Sequence, residues 1–133
     1  MALVIDASVA ASWLLPDEAS GAADRIVSTL AAQAAVTPAV FWFEIRNVLA
    51  IAERRGRIDA SVTDRSLHHL DQLSVETDRD PDQAAAMALV RRHGLTFYDA
   101  AYLELAARRR CSLATFDRRL AEAAQREAIA VVA

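Results

Sequence analysis

Four acidic residues, well separated along the chain, stand where a carboxylate either costs free energy or collects a ligand. Asp6 and Asp117 each follow a short apolar run that predicts a β-strand. Glu44 and Asp99 fall near the starts of predicted helices, on faces whose neighbours three and four residues away are mainly apolar. An ionised carboxylate removed from water without a partner costs on the order of several kcal/mol. Each acid must therefore be paired, cap a helix or hold a cation.

Each of these acids also has a purely structural explanation. Asp6 and Asp117 could cap the helices that follow them, and Glu44 could pair with an arginine. Asp99 lies three residues after Thr96, the spacing of a capping box, and within its own segment capping is the favoured explanation. One common site is nevertheless more economical than four separate roles. Because clustered carboxylates repel one another, the common cause that we expect is a divalent cation.

The available ligand types indicate which cation such a site would hold. Oxygen ligands without thiolate or imidazole suit hard cations, Mg²⁺ or Mn²⁺, which keep several waters and are completed by substrate phosphate. Cys111 is the only cysteine, which excludes a disulfide framework and a cysteine-based zinc site. We interpret His68, His69 and His93 as ordinary surface or partly buried residues, since adjacent histidines on a helix point in different directions.

Short β-branched runs alternate with longer helical patterns along the chain. This alternation predicts an α/β fold: a doubly wound, mostly parallel sheet of about four to five short strands flanked by helices, because parallel neighbours need crossover connections. The 133 residues, 54% of them hydrophobic, fit one domain, 1–133. Ligands gather at the carboxyl ends of such strands, which is where Asp6 and Asp117 stand. The predicted strands are 3–5, 35–37, 74–77, 112–115 and 129–132, and the predicted helices are 8–15, 19–32, 38–55, 60–73, 81–93, 97–109 and 117–127.

The third predicted helix carries two further predictions. Thr37 followed by Pro38 is typical of a helix start, with an N-cap and then a proline at the first helical position. Phe41, Trp42 and Phe43 are consecutive, so their rings cannot all point to one helix face. We expect one ring to lie outside the core, against a second subunit of a homodimer.

The charge pattern argues against broad electrostatic adhesion to nucleic acid. The formal net charge is −3, whereas a basic surface is the usual footprint of nucleic-acid binding. The chain has no lysine, and its arginine clusters either complement helix dipoles or contact phosphate. No basic leader opens the chain and no apolar run approaches the roughly 18 residues of a membrane span, so we expect a cytoplasmic protein without a membrane segment. The arginine clusters are 54–55, 91–92, 108–110 and 118–119.

Four short motifs carry a resemblance to a known family. They are V-I-D-A-S at 4–8, E-I-R-N at 44–47, F-Y-D-A-A-Y-L at 97–103 and L-A-T-F-D at 113–117. Each alone is weak, but in this order and in a chain of this length they resemble the PIN domain, specifically the VapC-type toxins of bacterial type II toxin–antitoxin systems, over nearly the whole chain. The resemblance implies a Mg²⁺-dependent endoribonuclease that cuts RNA, is inhibited by a cognate VapB-type antitoxin and dimerises. Mn²⁺ is expected to support the same activity.

The resemblance assigns the family's acidic quartet to Asp6, Glu44, Asp99 and Asp117. It implies that Asp6 and Asp99 bind the metal directly, whereas Glu44 and Asp117 bind through water or orient the attacking water. The implied reaction is metal-assisted hydrolysis of a phosphodiester, which leaves a 5′-phosphate and a 3′-hydroxyl.

Three further residues match positions of the family close to the acids: Ser8, Asn47 and Thr115. For Ser8 and Thr115 a role in supporting the metal ligands competes equally with ordinary roles, helix capping for Ser8 and strand packing for Thr115.

Other phosphate-handling α/β proteins fit the chain less well. Receiver domains and haloacid-dehalogenase-like phosphatases rely on a lysine that is absent here, and Ser8 stands where the phosphatases place a second acid after Asp6. Two alternatives to a toxin stay open: a PIN-domain nuclease of RNA processing outside a toxin–antitoxin pair, and a catalytically silent domain that binds a partner. An adjacent antitoxin gene would separate the first alternative, and a nuclease assay would separate the second.

Overall fold

The helices and strands follow the predicted alternation. The structure is a computed structural model and describes residues 2–18, 21–30 and 33–132, so the ends of the predicted helix 19–32 lie outside the described residues. The elements within the described residues are β1 (Ala2–Ile5), α1 (Ala7–Leu14), α2 (Gly21–Thr29), β2 (Ala34–Pro38), α3 (Val40–Arg54), α4 (Ala60–Asp71), β3 (Val75–Asp78), α5 (Gln83–His93), α6 (Phe97–Arg109), β4 (Ser112–Ala114), α7 (Arg118–Arg126) and β5 (Val131–Val132).

The five strands form one sheet in the order β3-β2-β1-β4-β5, and every neighbouring pair is parallel. The chain builds outward from the central β1 through β2 to β3, and then returns to the other side of β1 for β4 and β5. Val4 of β1 lies opposite Val36 of β2 and Leu113 of β4. The predicted α/β, doubly wound parallel sheet is confirmed, and the order of its strands reverses beside β1, where such sheets bind ligands.

The core lies on both faces of the central strands. Leu3, Val4 and Ile5 are almost fully buried, as expected of an apolar strand covered by helices on both sides. Helix α6 packs against β1, β2 and β4 and buries residues on more than one of its faces, among them Tyr102 and Leu105. No helix within the described residues has the length and apolar character needed to cross a lipid bilayer.

The predicted helix start at Thr37-Pro38 is wrong. Both residues belong to β2, and α3 begins at Val40 with Ala39 as an N-cap that makes no side-chain hydrogen bond. The buried Thr37 hydroxyl instead donates to the carbonyl oxygen of Ile5 in β1, at 3.2 Å. A threonine that bonds across the sheet is not available as a cap, and Pro38 at the end of the strand loses little by lacking an N–H.

Most of the other boundaries differ from the predicted ones by one or two residues. Helix α5 begins at Gln83 rather than Pro81, because the Asp82 carboxylate accepts from the Ala85 N–H and caps the helix. Its end is as predicted, since Gly94 adopts the left-handed conformation at φ 64° that terminates helices. The last strand is shorter than predicted and contains only Val131–Val132.

Candidate active site

The structure brings Asp6, Glu44, Asp99 and Asp117 to one cavity of about 580 Å³. Asp6 directly follows β1, and Asp117 ends the loop between β4 and α7. Glu44 comes from the beginning of α3 and Asp99 from the first turn of α6. Four separate segments of the chain therefore direct acids to the carboxyl end of the sheet.

Asp6 is the most deeply buried of the four, with 4% of its surface exposed. Its Oδ1 accepts from the Ser8 hydroxyl at 2.6 Å and from the Val9 N–H at 3.1 Å, and its Oδ2 accepts from the Thr115 hydroxyl. Burial raises the pKa of Asp6, and the Ser8 and Thr115 hydroxyls offset part of that rise. Asp6 thus caps α1 and faces the cavity at the same time.

Ser8 and Thr115 also hold the loop after β4 in place. The Phe116 N–H donates to the Ser8 hydroxyl at 2.9 Å, and the Asp117 N–H donates to the Thr115 hydroxyl at 3.0 Å. The Asp117 carboxylate in turn accepts from the Leu120 N–H at 3.0 Å and caps α7. The two hydroxyls therefore connect Asp6 to the segment that carries Asp117, which is the kind of contact that orients metal ligands.

Glu44 has a partner that the sequence analysis did not identify. The Tyr102 hydroxyl donates to its Oε1 at 2.7 Å, so an arginine is not the partner. Burial raises the pKa of Glu44, and the charges of Asp99 and Asp6 raise it further, while the Tyr102 hydrogen bond opposes them. Tyr102 is itself 1% exposed, and burial beside Glu44 raises its own pKa, which keeps the hydroxyl a donor. The sequence signal for Tyr102 was its position three residues after Asp99, which places both side chains on the same helix face.

Asp99 combines both explanations that its segment allowed. Its N–H donates to the Thr96 hydroxyl at 3.1 Å, so Thr96 is the N-cap of α6. Its half-buried side chain lines the cavity. Burial raises the pKa of Asp99 and the charge of Asp117 adds to the rise, whereas the Thr96 hydroxyl and Arg119 oppose it. The backbone of residue 99 serves the cap, and its carboxylate serves the cavity.

Of the predicted site residues, Thr115 contacts Asp6 but does not line the cavity, and Asn47 lies outside it. Asn47 is exposed and lines an adjoining cleft of about 360 Å³ with Phe43 and Tyr98, and Glu44 forms part of both. A fifth acid, Glu18, does line the cavity. Its carboxylate forms an ion pair with Arg57, whose Nη2 lies 3.4 Å away. Nothing in the local sequence pattern distinguishes Glu18 from other surface acids.

The donor set of the cavity fits a hard divalent cation. Its described lining residues include five carboxylates and no arginine, histidine or cysteine. Within the part of the chain that the structure describes, no three acidic, histidine or cysteine side chains form a ready-made cage for a metal. Mg²⁺ does not require such a cage, because it binds through one or two carboxylates and keeps several waters. The mutually repelling carboxylates are therefore suited to a partly hydrated ion.

Comparison with solved structures places the fold among known proteins. The fold is similar to that of a protein of Pyrobaculum aerophilum, with a TM-score of 0.76 and 25% identity over 99% of this chain and 92% of that one. FitAcB from Neisseria gonorrhoeae is similar with a TM-score of 0.69 and 16% identity, covering 98% of this chain and 96% of that one. A toxin–antitoxin complex from Klebsiella pneumoniae gives 0.61 and 15%, covering 86% of each chain.

Sequence comparisons identify the family. Ribonuclease VapC3 of Pyrobaculum aerophilum is 37% identical over 126 residues, which cover 92% of this chain and 94% of that protein. The family model described as PIN domain matches residues 3–126, a range that contains all five acids of the cavity and the hydroxyls that contact Asp6. The chain belongs to the PIN domain family.

Proposed function

We propose that this chain is the toxin of a type II toxin–antitoxin pair, a single PIN domain that hydrolyses RNA in the cytoplasm with the help of a divalent metal ion. One observation carries the proposal: four separate segments direct carboxylates into one cavity whose described lining residues include no basic side chain. Similarity to a ribonuclease supports RNA as the substrate, and the neighbours include a toxin–antitoxin complex.

Asp6 and Asp99 are proposed as the direct metal ligands, and Glu44 and Asp117 as residues that bind the ion through water or orient the attacking water. The Ser8 hydroxyl, together with Thr115, fixes the Asp6 carboxylate from both sides. The Tyr102 hydroxyl occupies only Oε1 of Glu44, so Oε2 remains to accept a hydrogen bond from water.

Mg²⁺ is the proposed physiological ion and Mn²⁺ a substitute, since every donor in the cavity is an oxygen. When bound, the ion supplies Lewis acidity, which lowers the pKa of the attacking water and offsets charge on the phosphate. No histidine is available in the described lining to assist a 2′-hydroxyl attack, so the proposed products carry a 5′-phosphate and a 3′-hydroxyl.

The test is cleavage of single-stranded RNA by the purified protein, with the product ends identified chemically. We expect cleavage with Mg²⁺ or Mn²⁺, loss of activity after chelation and its return when the ion is restored. Asp99→Asn, purified identically, controls for contaminating ribonuclease. Cleavage that persists in chelator, or cyclic phosphate ends, would contradict the proposed chemistry. Rescue of toxin-arrested growth by an adjacent antitoxin gene tests the biological role.

The proposed antitoxin inhibits by placing an arginine in the cavity and displacing the metal. A guanidinium binds carboxylates bidentately and stays charged, so it neutralises the acids without supporting hydrolysis. Binding of the inhibitory segment and of Mg²⁺ should then be competitive. Titration of the inhibitory peptide at several Mg²⁺ concentrations and constant ionic strength separates competition from salt screening. An affinity independent of Mg²⁺ would indicate inhibition from outside the cavity.

A homodimer is proposed from the surface around Phe43. Phe41 is fully buried and Trp42 donates to the Thr77 hydroxyl at 2.8 Å, whereas the Phe43 side chain is 74% exposed. Phe43 and Tyr98 line an apolar cleft that a second copy would cover. Light scattering should give twice the chain mass at micromolar concentration, and Phe43→Ser should shift the protein toward the monomer. A monomeric wild type would contradict this proposal and leave the nuclease proposal intact.

A further inference from the structure

Phe116 presents an exposed aromatic ring within the acidic cavity. It lies between Thr115, which contacts Asp6, and Asp117, which caps α7. Its own N–H donates to the Ser8 hydroxyl, 2.9 Å away. The backbone that carries the ring is therefore fixed by the same hydrogen bonds that hold the acids, although 36% of the residue remains exposed. Phe116 is not among the residues that form the hydrophobic core.

The acids of the cavity repel the phosphates of RNA. RNA is a polyanion, and the described residues of the cavity wall offer acids but no cation. A metal ion offsets this repulsion only at the phosphate that it contacts. Stacking of a base on an aromatic ring holds an adjoining nucleoside by a contact that does not depend on positive charge.

Among the described residues that line the cavity, only two are aromatic, Tyr102 and Phe116. Tyr102 is 1% exposed and its hydroxyl is bound to Glu44, so its ring face is not accessible. We propose that Phe116 stacks on the unpaired base of a nucleotide adjoining the scissile phosphate. This proposal rests on the proposed ribonuclease function and assigns a base-binding subsite to that same cavity.

The proposed stacking has a consequence for substrate choice. A base inside a duplex has its faces covered by its neighbours, so only an unpaired, splayed base offers a face to Phe116. Every base has such a face, so the subsite favours single-stranded RNA over duplex without requiring a particular base. Phe116 would therefore select the conformation of the substrate.

The experiment combines variants of Phe116 with RNA probes that lack a single base. The probe is a short oligoribonucleotide that spans a cleavage site mapped with the wild type, together with versions that carry a single abasic nucleotide at each position flanking the scissile bond. We expect Phe116→Ala to lower kcat/KM on the intact probe by roughly 5-fold to 100-fold. Phe116→Trp should retain activity, whereas Phe116→Leu, similar in bulk but without a π face, should behave like the alanine variant.

The abasic probes locate the stacked base. At one flanking position the wild type should lose as much activity as Phe116→Ala loses on the intact probe, and the alanine variant should lose nothing more. At the other positions the two losses should add. A second readout without turnover uses 2-aminopurine at the identified position: its fluorescence should be quenched on binding to Asp99→Asn, and this quenching should disappear when Phe116→Ala is added.

Phe97→Leu is the matched control, because Phe97 is 39% exposed but lines a different cavity. It should cleave the intact probe as the wild type does. Wild-type kinetics in Phe116→Ala, or additive losses at every abasic position, would overturn the proposal. So would a Phe116→Ala protein that cleaves RNA normally but binds the antitoxin weakly, since the ring would then serve a protein contact. A wild type that cuts no RNA with any divalent ion would instead refute the proposed function.

Discussion

Two groups of acids in this protein differ in whether arginines of the same chain pair with them. The first, which we call the charged cluster, joins β3 to the end of α6 and consists of Glu76, Asp78, Glu104, Arg108 and Arg109. Arg108 donates to Asp78 at 2.9 Å and to Glu104 at 3.0 Å, and Arg109 donates to Asp78 at 2.8 Å. The Arg108 guanidinium, helped by Arg109, lowers the pKa of Asp78 to about 2. Here the buried carboxylate of Asp78 is kept ionised by arginines of the same chain.

The acidic cavity has comparable burial without such partners. Asp6 is 4% exposed and Asp78 is 6% exposed, yet burial raises the pKa of Asp6 whereas arginine contacts lower that of Asp78. Burial is the largest influence on the pKa of Asp6, whereas at Asp78 the hydrogen bonds from Arg108 outweigh burial. The charged cluster is complete within the chain and stabilises the fold. In the cavity the pKa values of Asp6, Glu44 and Asp99 are raised, and shifted pKa values of this kind are typical of functional sites.

The largest effect that tests this comparison is expected from Asp99→Asn. Loss of this proposed metal ligand should reduce the RNA cleavage rate by roughly a thousand-fold, the equivalent of several kcal/mol of transition-state stabilisation. The metal-free fold should be unharmed or slightly more stable at pH 7, since one repelling charge is gone. Single-turnover cleavage and thermal melts in chelator measure the two effects. An active but destabilised variant would return Asp99 to a purely capping role.

Asp78→Asn should have the opposite effect. It removes the buried carboxylate that Arg108 and Arg109 share and should lower the free energy of unfolding by roughly 2–4 kcal/mol, while the folded fraction cleaves RNA at the wild-type rate. Urea denaturation and activity normalised to folded protein test this. The control is a double-mutant cycle that combines Asp78→Asn with Arg108→Met. If the two residues act as a pair, the losses of unfolding free energy in the single variants will not add in the double variant. Additive losses would mean that the cluster stabilises the fold by other contacts.

Metal binding should distinguish the two groups in the same proteins. An ion that binds only the folded state at 100 times its Kd raises the free energy of unfolding by about 2.7 kcal/mol. We expect the full increase in Asp78→Asn and most of it to be missing in Asp99→Asn. Melting temperatures across a Mg²⁺ series, with ionic strength held constant by NaCl, provide the measurement. Equal shifts in both variants would place the ion outside the cavity.

The pH dependence of stability should differ in sign between the two variants. Asp78 has a folded-state pKa of about 2, below its ordinary value of 3.8. It therefore contributes about 2 kcal/mol above pH 3.8, and that contribution is lost as the pH falls from 3.8 toward 2. Asp99 has a raised pKa, so its ionisation destabilises the metal-free fold as the pH rises through and above its ordinary range. Urea denaturation in chelator between pH 3 and pH 7 should show Asp78→Asn below and Asp99→Asn above the wild type at pH 7, with both differences shrinking toward pH 3. Parallel curves would contradict these pKa directions.

The smallest expected effect concerns the hydrogen bond that orients Glu44. Tyr102→Phe removes one hydroxyl and should lower the cleavage rate by about 10-fold, the lower end of what residues that orient metal ligands contribute. A role in orientation also predicts weaker Mn²⁺ binding, measured by calorimetry, which a purely packing role would not alter. Leu105→Val, a comparable loss of bulk in the buried part of the same helix, is the control for stability. Unchanged metal affinity in Tyr102→Phe would contradict the orienting role.

Much of this architecture was predictable from local signals. The alternation of β-branched runs and helical patterns fixed the fold class, and the acids after β1 and β4 were predicted at the sheet edge where the structure has them. Helix ends such as Gly94 and the caps at Asp6 and Asp117 depend on contacts within about four residues, which a sequence pattern describes well. The four motifs were enough to identify the PIN domain.

The partners of the buried charges were decided only by the tertiary structure. Tyr102 and Glu44 are 58 residues apart, and Arg108 and Asp78 are 30 apart. The arginines at 108–110 suited a helix end equally well in sequence, and Thr37 suited a cap until the sheet placed the Ile5 carbonyl beside it. Periodicity and capping act along the chain and can be read from it, whereas a hydrogen bond between distant residues depends on how helices pack on the sheet. The sequence therefore determined which acids are present and near which edge, and packing determined which of them are neutralised within the chain.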